Sequence, residues 1–331
     1  ITKGLLLNLD PKLFEVHLFD LGKSADSETV IARKHCTSYT QDKKSLADWA
    51  HSIVDQNIEA LLFPEIGMDP LTRELASLRL APVQMASWGH PETTGLATID
   101  YFISGEDLEP DNADENYSEK LIKLPNLGCF FESSGVTPST LAVEDLGLSR
   151  DQPILLCPGS PSKYSPENDE VLVEIAKKLG KCQFVFFDFQ SGLTQILKQR
   201  LASCFQKNNL QLDEYVKFIP FQSKENFYAL MRQSDLYLDT IGFSGFNTAM
   251  QAIECNLPVL TKEGEYMRGR LASGVLNKIA MNSLVAQSNE AFIEIAADLI
   301  LNKEKLNLTQ YRINQNKQAL ISDQSAINGF E

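Results

Sequence analysis

The chain has 331 residues, which at roughly 100–200 residues per domain implies about two domains. Its 30 basic and 44 acidic residues give a formal charge of −14, a carboxylate surplus that argues against a nucleic-acid backbone or an anionic membrane as partner. Hydrophobic residues at 43 % and charged residues at 22 % are the composition of a folded globular protein and exclude a disordered chain.

The pattern alternates strand and helix. Residues 14–19 read as a short strand, and 46–54 as a helix with Leu46, Trp49, Ile53 and Val54 on one face. The apolar run 58–63, closed by Pro64, suits a parallel strand buried on both sides. A helix is predicted over 70–80, with Asp69 as N-cap and Pro70 at its first position. Strands are predicted at 82–88 and 100–104. After a weakly patterned stretch, 131–152, the alternation resumes. Strands are expected at 153–157, 183–187, 216–219, 236–238 and 258–260, and helices at 167–179, 193–204, 224–231 and 247–255. The remainder is helical, through Leu276, 291–301 and 311–320.

Strands separated by helices imply parallel sheets, because a parallel crossover needs a dozen or more residues. The expected architecture is therefore α/β, with two doubly wound Rossmann-like domains, 1–136 and 137–331, and a cleft between them as the default site. None of the six cysteines forms a CxxC pair or falls at zinc-ligand spacing with histidine, so reduced thiols of a cytoplasmic protein are expected. No run approaches the ~18 apolar residues of a membrane-spanning helix.

Four segments carry the chemistry-bearing residue types. Gly245, Phe246, Asn247, Thr248 and Gln251 open a helix after a strand. Free N–H groups and the positive dipole end there suit a phosphate, although an ordinary capped helix has the same local pattern. Lys163, just past the strand 153–157, can reach phosphate oxygens as a point charge, or stand as a solvated surface lysine. The loop Gly89, His90, Pro91, Glu92, Thr93, Thr94 is shaped to line a cleft, with His90 as a candidate acid, base or hydrogen-bond donor. In the stretch Gln222 to Phe227, Ser223 reads as an N-cap, and Phe227 as either core or a group that stacks on a base.

In this order and spacing the segments resemble the glycosyltransferase family of O-GlcNAc transferases and bacterial HMW1C-like protein glucosyltransferases. The resemblance rests on RLAPVQMASWGHPETTG (79–95), IDYFIS (99–104), YSEKLIKLP (117–125), LYLDTIGFSGFNTAMQAIECNLPVLT (236–261) and GEYMRGRLASGVL (264–276). It implies a GT-B fold with the donor nucleotide held mainly by the second domain. It implies Lys163 at the donor diphosphate and Gly245 to Thr248 as the phosphate cradle. Gln222 and Lys224 become the backbone clamp on uracil, Phe227 the stacking group and Gln251 the ribose contact. Gly89, His90, Pro91, Thr93 and Thr94 become the wall over sugar and acceptor, with Lys163 and His90 as the catalytic candidates and Arg270 in a less defined role. The family's phosphate motif reads Gly-His-Thr-Thr-Gly; Phe246, Asn247 and Ala249 depart from it. The first N-lobe strand and a histidine after it are expected to precede residue 1, and the last helix to run beyond Glu331, so the chain is expected to be a piece cut at both ends.

The activity implied is inverting transfer of glucose or GlcNAc from a UDP-sugar to a polypeptide side chain. No cofactor or metal is expected, because no Asp-x-Asp triplet occurs and Lys163 with a helix end can take the place of a cation. An upstream helical-repeat domain is the expected partner segment. Two other readings stay open: a non-catalytic module that binds UDP-sugar or a protein, and another GT-B enzyme with a small-molecule acceptor.

Overall fold

A computed structural model describes residues 2–22, 24–41 and 45–331. The chain divides into two compact units, residues 1–132 with 321–331, and residues 133–320.

In the first unit, α1 (Thr2–Asn8) precedes β1 (His17–Phe19), α2 (Ser27–His35) and β2 (Ser38–Thr40). The strands β1 and β2 pair in parallel as a sheet of their own, His17 opposite Ser38. The helix α2 was not legible as periodicity because it buries none of its residues; a capping box between Asp26 and Thr29 starts it. A second capping box, Ser45 with Asp48, starts α3 (Leu46–Val54), which buries Trp49 and Ile53 of the expected stripe but leaves Leu46 half-buried and Val54, at the helix end, exposed. Then β3 (Ala60–Phe63), α4 (Pro70–Ala76), β4 (Val83–Ser87), β5 (Tyr101–Gly105) and β6 (Lys120–Leu124) follow. These four strands form a parallel sheet in the order β3-β4-β5-β6. Asp69 caps α4 through the Thr72 N–H, with Pro70 in the first turn. The helix stops at Ala76, short of the expected residue 80, where the Ser77 hydroxyl turns back to donate to the Arg73 carbonyl. Phe63, Ala86, Trp88, Phe102 and Leu108 form the core of this unit. Ile1 lies outside the described residues.

The second unit contains β7 (Ile154–Leu156), α5 (Asp169–Leu179), β8 (Gln183–Asp188), α6 (Gly192–Lys207), α7 (Leu212–Tyr215), β9 (Val216–Pro220) and α8 (Lys224–Gln233). It continues with β10 (Leu236–Leu238), α9 (Asn247–Glu254), β11 (Val259–Lys262), α10 (Leu271–Lys278), β12 (Val285–Ala286), α11 (Asn289–Leu301) and α12 (Lys303–Asn316). All six strands are parallel, in the order β12-β11-β10-β7-β8-β9. Every residue of β7 and β10 is buried, as the unbroken apolar runs require of central strands with helices on both faces.

The expected division assigns the last residues to the second domain; the structure places 321–331 in the first unit. There Asn126 donates to Asp323 at 3.0 Å and to Ser325 at 2.8 Å. The helix α13 (Ser325–Phe330) lays Gly329 so close to Pro125 that an added Cβ would sit 2.7 Å from the ring. Residues 133–139, in turn, are tied to the second unit: Ser134 N–H donates to Glu254 and Ser139 Oγ to Asn226.

Among the described residues no helix is long and apolar enough to cross a membrane, and no group of three or more His, Cys, Asp or Glu is placed to hold a metal ion. The six cysteines are free thiols.

Candidate functional site

The strand order of the second unit reverses between β7 and β10. From β7 the chain steps outward through β8 and β9, then returns to β10 and proceeds the other way to β11 and β12. Right-handed crossovers send α5 and α9 to opposite faces, which opens a crevice beyond the carboxyl ends of β7 and β10.

The loop after β7 carries Lys163 at the end of a 3-10 turn, Pro161–Lys163. Its Nζ donates to the Ser244 carbonyl at 3.3 Å and stands 4.4 Å from the centre of the Phe243 ring. Burial lowers the pKa of the ammonium, and the Asp239 carboxylate opposes that shift. Gly159 brings the β7 and β10 loops together: an added Cβ would fall inside contact distance of Thr240 Oγ1 and 3.1 Å from the Tyr164 ring. Lysine, glycine and both loops thus form one rigid corner.

The loop after β10 is organised by Asp239, which is 5 % exposed. Its carboxylate accepts from Ser244 Oγ at 2.6 Å, Gly245 N–H at 2.9 Å and Thr261 Oγ1 at 2.7 Å. Burial raises its pKa against the pull of those donors. Ser244 Oγ accepts in turn from the Ala272 N–H, and the Ser244 N–H donates to the Arg268 carbonyl, so the loop is bonded on both sides. Gly245 is required here, because an added Cβ would sit 2.7 Å from Thr248 Oγ1 and 2.8 Å from Tyr237 Oη. Those two hydroxyls bond each other at 2.8 Å. The helix α9 then begins at Asn247 with no side-chain cap. The first N–H groups of such a helix point outward with the positive end of its dipole. Phe246 is buried, Asn247 exposed, and Thr248 and Gln251 half-buried.

The base-clamp candidates lie two strands away, past β9. Gln222 donates to the Pro220 carbonyl at 2.8 Å and accepts from Asn226 at 3.2 Å, so its side chain shapes the loop. Ser223 caps α8, and Lys224 is its exposed first residue. The half-buried Phe227 ring meets Phe187 edge-on at 5.5 Å. Phe221, 71 % exposed, meets Phe189 at 5.8 Å, an aromatic edge to which the sequence reading gave no role. Arg270 bonds Glu263 at 3.0 Å and the Gly264 carbonyl at 3.3 Å, which makes it a brace of its own loop.

In the first unit, Gly89 to Thr94 follow β4. Gly89 passes so near residues 64 and 65 that an added Cβ would lie 2.6 Å from the Pro64 carbonyl oxygen. His90 Nε2 is 3.7 Å from Glu92, its ring lies against Gly67, and Pro91 is buried. The Thr93 hydroxyl donates to Glu119 at 2.7 Å, the Thr94 N–H donates at 2.8 Å, and the Thr94 hydroxyl bonds the same carboxylate. Burial would raise Glu119, but the Thr94 and Thr93 donors outweigh it and hold the carboxyl below the usual range. Both threonine hydroxyls therefore shape the loop from within. Asp239 and Glu119 organise the two loop systems, yet each is a single acid beside apolar sequence; the only signal is that each precedes a Gly/Ser/Thr-rich turn or pairs with one.

The family model described as Glycosyl transferase family 41 matches residues 41–133 and 159–324. A UDP-glucose:protein N-beta-glucosyltransferase of Actinobacillus pleuropneumoniae is 26 % identical over 282 residues, covering 82 % of this chain and 43 % of that protein. A probable UDP-N-acetylglucosamine–peptide N-acetylglucosaminyltransferase, SEC of Arabidopsis thaliana, is 26 % identical over 242 residues, 70 % of this chain and 24 % of its own length. The chain thus spans less than half of these relatives. A lysine-to-methionine variant of Thermobaculum terrenum O-GlcNAc transferase superposes with a TM-score of 0.85 at 21 % identity, over 98 % of this chain and 61 % of that one. Sucrose-phosphate synthase of Thermosynechococcus elongatus superposes at 0.64 with 14 % identity, over 99 % and 90 %. The fold is GT-B-like, with parallel sheets and flanking helices.

Proposed function

This chain belongs to glycosyl transferase family 41, and on that premise we propose that it binds a UDP-sugar and transfers the hexose or N-acetylhexosamine, with inversion, to a polypeptide side chain. The observation that carries the reading is the corner at β7 and β10: the Lys163 ammonium donates to the Ser244 carbonyl, and the buried Asp239 carboxylate fixes Ser244 and Gly245 just ahead of the uncapped start of α9. Positive charge on two sides of a topological switch point is what a diphosphate needs.

An acceptor hydroxyl or amide attacks the anomeric carbon as the bond to the UDP oxygen breaks. Negative charge grows on the leaving diphosphate. Lys163 and the N–H groups of Asn247 and Thr248 meet that charge already in place, without reorganising. Removing one such donor typically costs ~10²–10³ in rate. Gln222 and Lys224 are assigned to the uracil edge through their backbone, Phe227 to its face and Gln251 to the ribose. His90 and the Gly89–Thr94 loop are assigned to the sugar and acceptor. An upstream helical-repeat segment and a cytoplasmic setting belong to the same reading.

The test is transfer. The full-length protein is incubated with UDP-glucose or UDP-GlcNAc and a polypeptide carrying Ser, Thr and Asn. A mass gain of one sugar on the polypeptide, resistant to a chelator and lost in Lys163→Met, supports the reading. No transfer from either donor contradicts it.

A further inference from the structure

Arg200 on α6 makes two short bonds with one guanidinium. Its Nε donates to Asp169 Oδ2 at 2.6 Å, and its Nη2 donates to the Tyr164 carbonyl at 2.6 Å. The pair is mostly desolvated, with the Asp169 side chain 8 % exposed and that of Arg200 24 %. Asp169 is the first residue of α5, and Tyr164 directly follows Lys163. The Tyr164 ring also packs on Phe186 of β8, centroids 5.1 Å apart. Arg200 and Lys163 line one cavity of about 500 Å³, together with Phe243 and Arg268.

We propose that Arg200 is a positioning residue for Lys163, acting through the Tyr164 carbonyl. The 3-10 turn bearing the lysine is fixed on one side by the close approach of Gly159 to Thr240. On the other side the arginine fork ties it to α6 and α5. The planar guanidinium makes both bonds from one rigid group, whereas a lysine at this position offers a single point charge. Loss of the fork frees the Tyr164 carbonyl and lets the turn shift, and the ammonium with it. This inference rests on the reading of Lys163 as the diphosphate contact.

The test is a double-mutant cycle read by calorimetry with UDP on the full chain, with melting temperature in parallel. Arg200→Gln weakens UDP binding about tenfold, the scale of one misplaced charge-assisted hydrogen bond. In the Lys163→Met background the same change has little further effect, because the group it positions is gone. Arg200→Lys keeps a cation beside Asp169, so it recovers the melting temperature without recovering UDP affinity. It also serves where Arg200→Gln does not fold. Wild-type affinity in folded Arg200→Gln or Arg200→Lys overturns the proposal, as does an equal loss in both backgrounds, which marks a general effect on the fold. Unchanged affinity in Lys163→Met alone overturns the assignment of Lys163 and the proposal with it.

Discussion

One methyl group at Gly159 tests whether the two loops form a single corner. A Cβ there would sit inside contact distance of Thr240 Oγ1 and 3.1 Å from both Cε2 and Oη of Tyr164. Thr240 is 5 % exposed and stands next to Asp239, so it has little room to retreat. Tyr164 is held against Phe186 and by Arg200. The β7 and β10 loops must therefore separate, and overpacking of this kind costs about 1–3 kcal/mol. The same separation carries Lys163 away from the start of α9, so UDP affinity falls along with stability. Gly192→Ala is the control: its Cβ meets nothing within 4 Å at the start of α6, and the change should be neutral or stabilising by up to ~1 kcal/mol. Urea midpoints report stability and calorimetry reports UDP binding. Wild-type stability and affinity in Gly159→Ala would refute the corner.

Asp239→Ala leaves the Gly245 N–H and the Ser244 and Thr261 hydroxyls without their acceptor. At ~1–3 kcal/mol per stranded buried group, with hydroxyls free to turn, a loss of about 2–5 kcal/mol is expected in urea unfolding. Burial raises the folded pKa of Asp239, so the part of its contribution linked to proton binding is full below the ordinary 3.8 and is lost as pH rises through the raised value. The stability gap between wild type and Asp239→Ala should accordingly widen on acidification. The lowered pKa of Lys163 predicts that UDP affinity declines as pH rises through that value, before the 10.5 of an ordinary lysine, and that Lys163→Arg removes the decline. Glu119, held below the ordinary 4.5, contributes stability above that value that is lost as pH falls through its folded pKa; Glu119→Ala should flatten this acid limb in a pH series of melting curves.

Much of the second unit was legible because its strands are short apolar runs bounded by turn residues, and several of its helices, α6, α8, α11 and α12, start at side-chain caps. Strands β7 to β11 fall within a few residues of where the pattern places them. The strand β6 escaped because Lys120 and Lys123 break its apolar run, and β12 because two residues make no period. Placement was legible where a residue type has a local signature: Lys163 stands just past β7, and Gly245 just ahead of a helix start, as the pattern expects. Asp239, Glu119 and Arg200 act through bonds to residues from 5 to 36 positions away, and no local spacing announces such partners. The threonines of the first-unit loop show the converse: residue types that suggest ligand contact are consumed by Glu119.

The most direct measurement is a crystal structure of the chain with UDP. The account predicts the diphosphate within hydrogen-bond reach of Lys163 Nζ and of the backbone N–H groups of Asn247 and Thr248, with Asp239 beneath and out of contact. A diphosphate bound away from both Lys163 and the start of α9 would contradict it.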